Sequence, residues 1–277
     1  MTRLHPRSTI LPFVLVVGLI WTSAASANPF RDLQARAEAV VTVRFVLKVQ
    51  MPGVDREVDN EVACLVIGAD GLVLCSQTDL GGYIGIMARI VGRAEQPISS
   101  QPREVKVLLG DDRNGGLAAR LVAQDRDRDL AWLLIDEPPE NLPHVDLNEV
   151  ADLSVGDRAY QLRRLDDYFG REPVVSEMVI GAVTDKPRRL LVPSRPLEGY
   201  LGSPVFTADG KLVGLTVVQV PSEGEGAPMM SSARTLPGQA SKLDDMIGGV
   251  ILPAADIVRA TALAREMHAA DEADAVE

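Results

Sequence analysis

From Val40 to Val220 the chain is a succession of short β-segments separated by turn signals, and this pattern limits the folds open to it. Val40–Gln50 is β-branched and apolar. Glu61–Ile67 and Leu72–Cys75 flank Gly68-Ala69-Asp70-Gly71 and read as a hairpin. Glu104–Leu109 alternates apolar and polar residues and stops at the Gly110–Gly116 turn. Leu117–Ala123 and Leu130–Ile135 follow, and Asp136-Glu137-Pro138-Pro139 closes the group. A second group comprises Arg158–Leu162, Val174–Val183, Leu190–Val192, Pro204–Phe206 and Leu212–Val220. Many short strands joined by loops rich in Gly, Pro and Asp predict an all-β sandwich or barrel. The groups are similar in size, and the strand-poor join Pro138–Ser154 suits two small barrels side by side. Pro221–Met246, rich in Gly, Ser, Pro and Met, reads as a surface loop. Pro253 opens a helical stretch to about Met267, with an acidic, disordered tail expected after it.

The N-terminus reads as a secretory leader. Arg3 and Arg7 precede an apolar run from Ile10 to Trp21, and Ala25-Ser26-Ala27 offers a cleavage site. The expected divisions are a signal at 1–27, a short segment at 28–38, barrels at 39–150 and 151–252, a helix at 253–268 and an acidic tail at 269–277. The apolar run is short for a membrane span, and no later stretch suits one. The expectation is an exported chain, periplasmic or extracellular, with no membrane span once mature. Removal of Arg3 and Arg7 with the leader takes the formal charge from −11 to −13. That acidity disfavours nucleic acid and anionic lipid as partners.

Two cysteines fall on opposite arms of the hairpin. If Ile67 faces Leu72, Cys64 faces Cys75, and an oxidising compartment would permit a disulfide. A slip of one residue would put them on opposite faces and leave two buried thiols. No metal-binding set, cofactor motif or phosphate-binding loop stands out; Gly110–Gly116 lacks the Gly-Lys-Ser/Thr ending.

Several motifs occur in an order similar to that of the HtrA/DegP family of trypsin-like serine proteases. Val66-Ile67-Gly68-Ala69-Asp70-Gly71 resembles the hairpin before the family's histidine. Arg128-Asp129-Leu130-Ala131-Trp132-Leu133 resembles the segment of the triad aspartate. Leu153-Ser154-Val155-Gly156-Asp157 resembles the opening of the second barrel. Asp209-Gly210-Lys211-Leu212-Val213-Gly214-Leu215 resembles the strand after the nucleophile, and Gly249-Val250-Ile251-Leu252-Pro253 the approach to the final helix. The resemblance covers roughly Val40 to Ala264. It implies two six-stranded antiparallel β-barrels with a cleft between them and a C-terminal helix. No PDZ domain is expected after that helix.

The resemblance also locates the catalytic positions. Asp70–Asp79 is similar to D-G-x-I-L-T-N-A-H-V, with Thr78 at the histidine. Leu197–Val205 is similar to the loop G-N-S-G-G-P-L, with Leu201 at the serine. Asp129 retains the acidic position. A serine hydroxyl needs a base within hydrogen-bond reach, held by a third group. Leu201 has no nucleophilic atom, and Thr78 is no base near neutral pH. His144 and His268, the histidines after the leader, lie away from the base position in sequence. The expectation is a protease homologue without protease chemistry, binding a peptide, an unfolded segment or another envelope protein through Gly199, Leu201 and Ser203. The Gly199 amide, which in the family helps form the oxyanion hole, is a candidate donor to a carbonyl or carboxylate. Two alternatives stay open. One is an endopeptidase with its nucleophile moved to Ser203, served by Lys186 or Lys211; the other is an assembly subunit that offers only surface.

Overall fold

A computed structural model describes residues 30–51, 54–82, 99–112, 115–195, 201–219 and 249–274. The expected leader, Gly199, and the Pro221–Met246 loop lie outside the described residues.

Two closed six-stranded antiparallel barrels form the molecule. Strands β1 (Val40–Met51), β2 (Val54–Val66), β3 (Leu72–Ser76), β4 (Ser99–Leu108), β5 (Leu117–Asp125) and β6 (Leu130–Ile135) close in the order β1-β2-β3-β6-β5-β4. Strands β7 (Arg158–Arg164), β8 (Pro173–Thr184), β9 (Leu190–Pro193), β10 (Pro204–Phe206), β11 (Leu212–Val217) and β12 (Val250–Pro253) close as β10-β11-β12-β9-β8-β7. Helix α1 (Phe30–Arg36) precedes the first barrel and α2 (Ala254–Asp274) follows the second. Closure pairs both edges of every sheet, which suits strands as short as the three residues of β10.

The alternating sequence pattern fills three cores. Val41, Phe45, Val107 and Leu133 lie inside the first barrel. Ala159, Ile180, Leu191, Val205, Val213 and Ile251 fill the second. A third cluster joins the barrels and helices through residues such as Leu33, Trp132, Leu162, Phe206 and Ile257. The Trp132 indole also donates to Thr261 Oγ1 at 3.1 Å, tying α2 to the first barrel.

The β2–β3 hairpin has the register in which Cys64 pairs with Cys75. The Ile67 N–H donates to the Leu72 carbonyl at 2.9 Å, and the Gly71 N–H donates to that of Gly68 at 3.1 Å. Gly71 sits at φ +88°, and a Cβ there would stand 3.1 Å from the Ile135 and Pro138 side chains. The Cys64–Cys75 disulfide, buried in the first core, crosses this hairpin with the two Cα atoms 4.6 Å apart.

Two elements run further than the sequence pattern suggests. Strand β2 begins at Val54, seven residues before the expected Glu61, because β1 supplies a full ladder opposite its charged start. Helix α2 continues to Asp274 through residues expected to be a disordered tail. Arg120 on β5 reaches Glu272 at 3.1 Å, and Glu272 also faces His268 one turn earlier at 3.3 Å. Alanine-rich composition and these contacts carry the helix past Met267. None of the helices among the described residues is long and apolar enough to cross a membrane.

Two arginines, Arg164 partly buried and Arg171 buried, clamp the barrels together. Arg164, on β7, donates through Nη2 to the Ala37 carbonyl at 2.8 Å and through Nε to that of Val40, both on the N-terminal side of the first barrel. Its Nη1 donates to the Arg171 carbonyl at 3.0 Å. Arg171 is itself 2% exposed, and its Nη2 lies 3.0 Å from Glu61 Oε1 on β2.

Candidate site at the seam between the barrels

The site is built around Asp129, the residue before β6. It holds a left-handed backbone at φ +57° and is 3% exposed. That backbone turns its carboxyl under the end of β3. The Thr78 N–H donates to Oδ1 at 2.7 Å, and the Ser76 hydroxyl donates to Oδ2 at 2.9 Å. From the second barrel, the Val218 N–H, just past β11, donates to Oδ2 at 2.9 Å. One carboxylate therefore joins β3, the turn after it and the second barrel. Burial pushes the Asp129 carboxyl above its ordinary value, and the hydrogen bonds from Val218, Thr78 and Ser76 pull the other way.

Thr78 opens a tight turn, Thr78–Gly82, and is 2% exposed. Its neighbour Asp79 is partly buried and donates its N–H to Ser76 Oγ at 3.3 Å. Burial first, and then the like charge of Asp129, push the Asp79 carboxyl up to about 7.

The turn bearing Leu201 lies on this network. Gly202, at φ +70°, packs so closely that a Cβ on it would stand 2.6 Å from the Ala63 carbonyl and 3.3 Å from the Ser76 nitrogen. Its N–H donates to the Thr216 carbonyl at 2.8 Å. The fold thus brings Thr78, Asp129 and the Leu201 turn together, with Ser76 the shared neighbour. Leu201 is partly buried.

Ser203 is the third of the residues expected to bind peptide. Its side chain is fully buried, and among the described residues its hydroxyl has no hydrogen-bond partner. Its backbone is fixed by Thr216: the Ser203 N–H donates to Thr216 Oγ1 at 3.0 Å, and the Thr216 N–H donates to the Ser203 carbonyl at 3.0 Å. Thr216 is buried on β11, so the residue two beyond Leu201 is held in the interior. Neither candidate lysine hydrogen-bonds to it: Lys211 faces Asp209 at 3.3 Å, and Lys186 sits exposed in the β8–β9 turn. His144 places Nδ1 3.0 Å from the Leu142 carbonyl, and His268 lies on α2 beside Glu272. Among the described residues no group of three or more His, Cys, Asp or Glu side chains is placed to hold a metal.

Motif reading missed Ser76, Asp79 and Val218. Asp79 carried a visible signal, a carboxylate at the end of an apolar strand beside the expected base position. Val218 contributes a backbone N–H, which no residue type announces.

Comparison with known proteins agrees with this architecture. No curated protein matches the chain by sequence. Two solved structures of a variant of the HtrA-type protease AlgW, one with a tripeptide and one with a decapeptide, are similar to it. The first has a TM-score of 0.51 at 17% identity, covering 83% of this chain and 61% of that one. The second has a TM-score of 0.52 at 17% identity, covering 82% and 63%. The chain thus spans about three fifths of the length of these relatives. The MamO protease domain from Magnetospirillum magneticum, in its apo form, is matched over 82% of this chain and 97% of that one, at 18% identity and a TM-score of 0.47. A family model, the trypsin-like peptidase domain, matches residues 63–215, which is more than half of the sequence. That span runs from β2 to β11 and includes Thr78, Asp129, Leu201 and Ser203; the chain belongs to the family of trypsin-like peptidase domains.

Proposed function

We propose that this chain is an exported trypsin-like peptidase homologue that binds extended peptide or unfolded protein segments, or a partner protein of the cell envelope, without cleaving them. The observation that carries this reading is the occupancy of Asp129. In a working triad the acidic residue orients an imidazole and stabilises it once protonated. Here the Asp129 oxygens accept from the Thr78 N–H, the Ser76 hydroxyl and the Val218 N–H. The carboxylate serves as a structural acceptor, and Thr78 stands where the resemblance places a base. Ser203, the remaining hydroxyl beside Leu201, is buried without a base bonded to it. The AlgW structures hold a tripeptide and a decapeptide on the same fold, which favours peptide as the ligand class. In this chain Leu201 would add apolar surface to the cleft, worth about 1.5–3 kcal/mol if a bound segment covered it fully.

The test incubates purified protein with unfolded casein and with a serine-reactive fluorophosphonate. The expected result is neither cleavage nor labelling, and Leu201→Ser alone should restore neither. Labelling at Ser203, or casein cleavage abolished by Ser203→Ala, would overturn the reading. Calorimetric titration with unfolded apolar peptides tests the binding half. Loss of affinity in Leu201→Asp is expected, and unchanged affinity would move the binding site away from the cleft.

A further inference from the structure

The outer face of the first barrel and the last turns of α2 enclose a cavity of about 130 Å³ that shares no residue with the Asp129 network. Its floor is Leu72 on β3, Trp132 and Leu134 on β6, and Val122 on β5. Trp132 and Leu134 stand two apart on β6 and so point to one face, opposite to Leu133, which lies inside the barrel. Val122 is an extra residue in its strand: β5 pairs Leu121 with Leu133 and Ala123 with Trp132, and the bulge between them takes Val122 out of the ladder. The opposite wall is α2, where Ala264 and Ala269 offer only methyl groups. Large side chains on the barrel set against small ones on the helix leave the space unfilled.

The charges around the cavity are matched to one another. Arg265 Nη2 lies 3.2 Å from Asp70 Oδ1, and that guanidinium holds the Asp70 carboxyl below its ordinary value. Glu272 accepts from Arg120 at 3.1 Å. Each charged lining residue thus has an opposite partner, which favours a neutral ligand. His268, also in the lining, is different. Its Nε2 is buried, lies 3.3 Å from Glu272 Oε1, and among the described residues makes no hydrogen bond. A buried polar atom without a hydrogen bond costs free energy that a ligand hydroxyl would recover. A hydroxyl both donates and accepts, so it suits either tautomer of the imidazole. The Trp132 indole N–H is already engaged by Thr261, so Trp132 offers the cavity its ring alone.

Size decides what kind of neutral group fits. An engineered cavity of about 150 Å³ holds benzene, whereas sites for drug-sized ligands run to about 300–1,000 Å³. This cavity therefore takes a single six-membered ring, a side chain rather than a larger free molecule. Arg265, Ala269 and Glu272 border it and are exposed, which leaves room outside for the chain that carries the ring. We propose that the cavity between α2 and the first barrel is a docking site for one tyrosine side chain of a protein partner, with the ring packed on Trp132 and the hydroxyl on His268 Nε2. An aromatic ring against an aromatic floor gains beyond the area it buries. This holds whether or not the cleft binds peptide.

The test titrates the intact protein with p-cresol, with N-acetyl-tyrosinamide and with toluene, followed by NMR of the Trp132 indole N–H and the His268 ring. Saturable shifts at both are expected with p-cresol and with the tyrosine amide. p-Cresol should bind about fivefold more tightly than toluene, the effect of one net hydrogen bond. His268→Phe should remove that preference. Ala269→Trp, at an exposed position bordering the cavity, should fill it and remove binding. Leu201→Asp should leave the p-cresol affinity unchanged. No saturable shift with p-cresol would overturn the proposal, as would equal affinity for toluene. So would binding that survives Ala269→Trp or is lost in Leu201→Asp. Binding of p-cresol without binding of the tyrosine amide would overturn the assignment to a tyrosine side chain. The ligand comparison uses the unaltered chain, so it decides the matter even if a variant does not fold.

Discussion

Replacing Asp129 separates a structural carboxylate from a catalytic one. In Asp129→Ala two buried N–H groups, those of Thr78 and Val218, lose their acceptor. Each such orphan costs about 1–3 kcal/mol, whereas the Ser76 hydroxyl can turn to another partner. Asp129 also sits at φ +57°, where alanine is less at ease than Asp or Asn, which adds up to about 1 kcal/mol. Against this stands the relief of a buried charge, since burial already pushes the Asp129 carboxyl upward. The net expected loss is about 3 kcal/mol. Asp129→Asn keeps the left-handed backbone and an oxygen for the Thr78 N–H, but sets its NH₂ against the Val218 N–H. One orphan remains, so the expected loss is smaller, about 1–2 kcal/mol. Urea unfolding followed by fluorescence of Trp132, which is 2% exposed and the only tryptophan after residue 27, measures both. A loss below about 0.5 kcal/mol for alanine, or a larger loss for asparagine than for alanine, would refute the acceptor role.

Two other substitutions probe the same region. Gly202→Ala combines φ +70° with a Cβ 2.6 Å from the Ala63 carbonyl, so the Leu201 turn must lift from the first barrel at a cost of about 2 kcal/mol or more; an unchanged melting temperature would contradict that packing. Replacing both Cys64 and Cys75 by alanine opens an 11-residue separation and should cost about 3 kcal/mol. Thiol titration of the denatured, unreduced protein should find none, and two titratable thiols would reject the bridge.

The strands that sequence reading located best are those whose order is local. Leu130–Ile135 and Pro204–Phe206 are found as expected, because each apolar run ends in its own turn residues. Sequence reading left the Cys64–Cys75 register open to a slip of one residue, and the hairpin takes the pairing in which Ile67 faces Leu72. Charged Val54–Asn60 did not read as strand, because its pairing comes from β1 opposite rather than from its own apolar content. The last turns of α2 escaped notice for a similar reason: Arg120, which meets Glu272, lies 152 residues earlier.

For the site, the resemblance to the family's motifs placed Thr78, Asp129 and Leu201 at the triad positions, and their residue types argued against a nucleophile and a base. They carried no information on where the Asp129 carboxyl would point. Val218 lies 89 residues from Asp129 and offers only its backbone, and Arg171 reaches Glu61 across 110 residues. The burial of Ser203 depends on Thr216 from another strand, and the altered acidity of Asp79 on a charge 50 positions away in the chain. Alternation and turn chemistry act between near neighbours, so the sequence alone determines the strands whose pattern is local, such as Leu130–Ile135. Burial, hydrogen-bond satisfaction and the acidity of a carboxyl depend on which distant segments pack against it, and only the closed pair of barrels decides that.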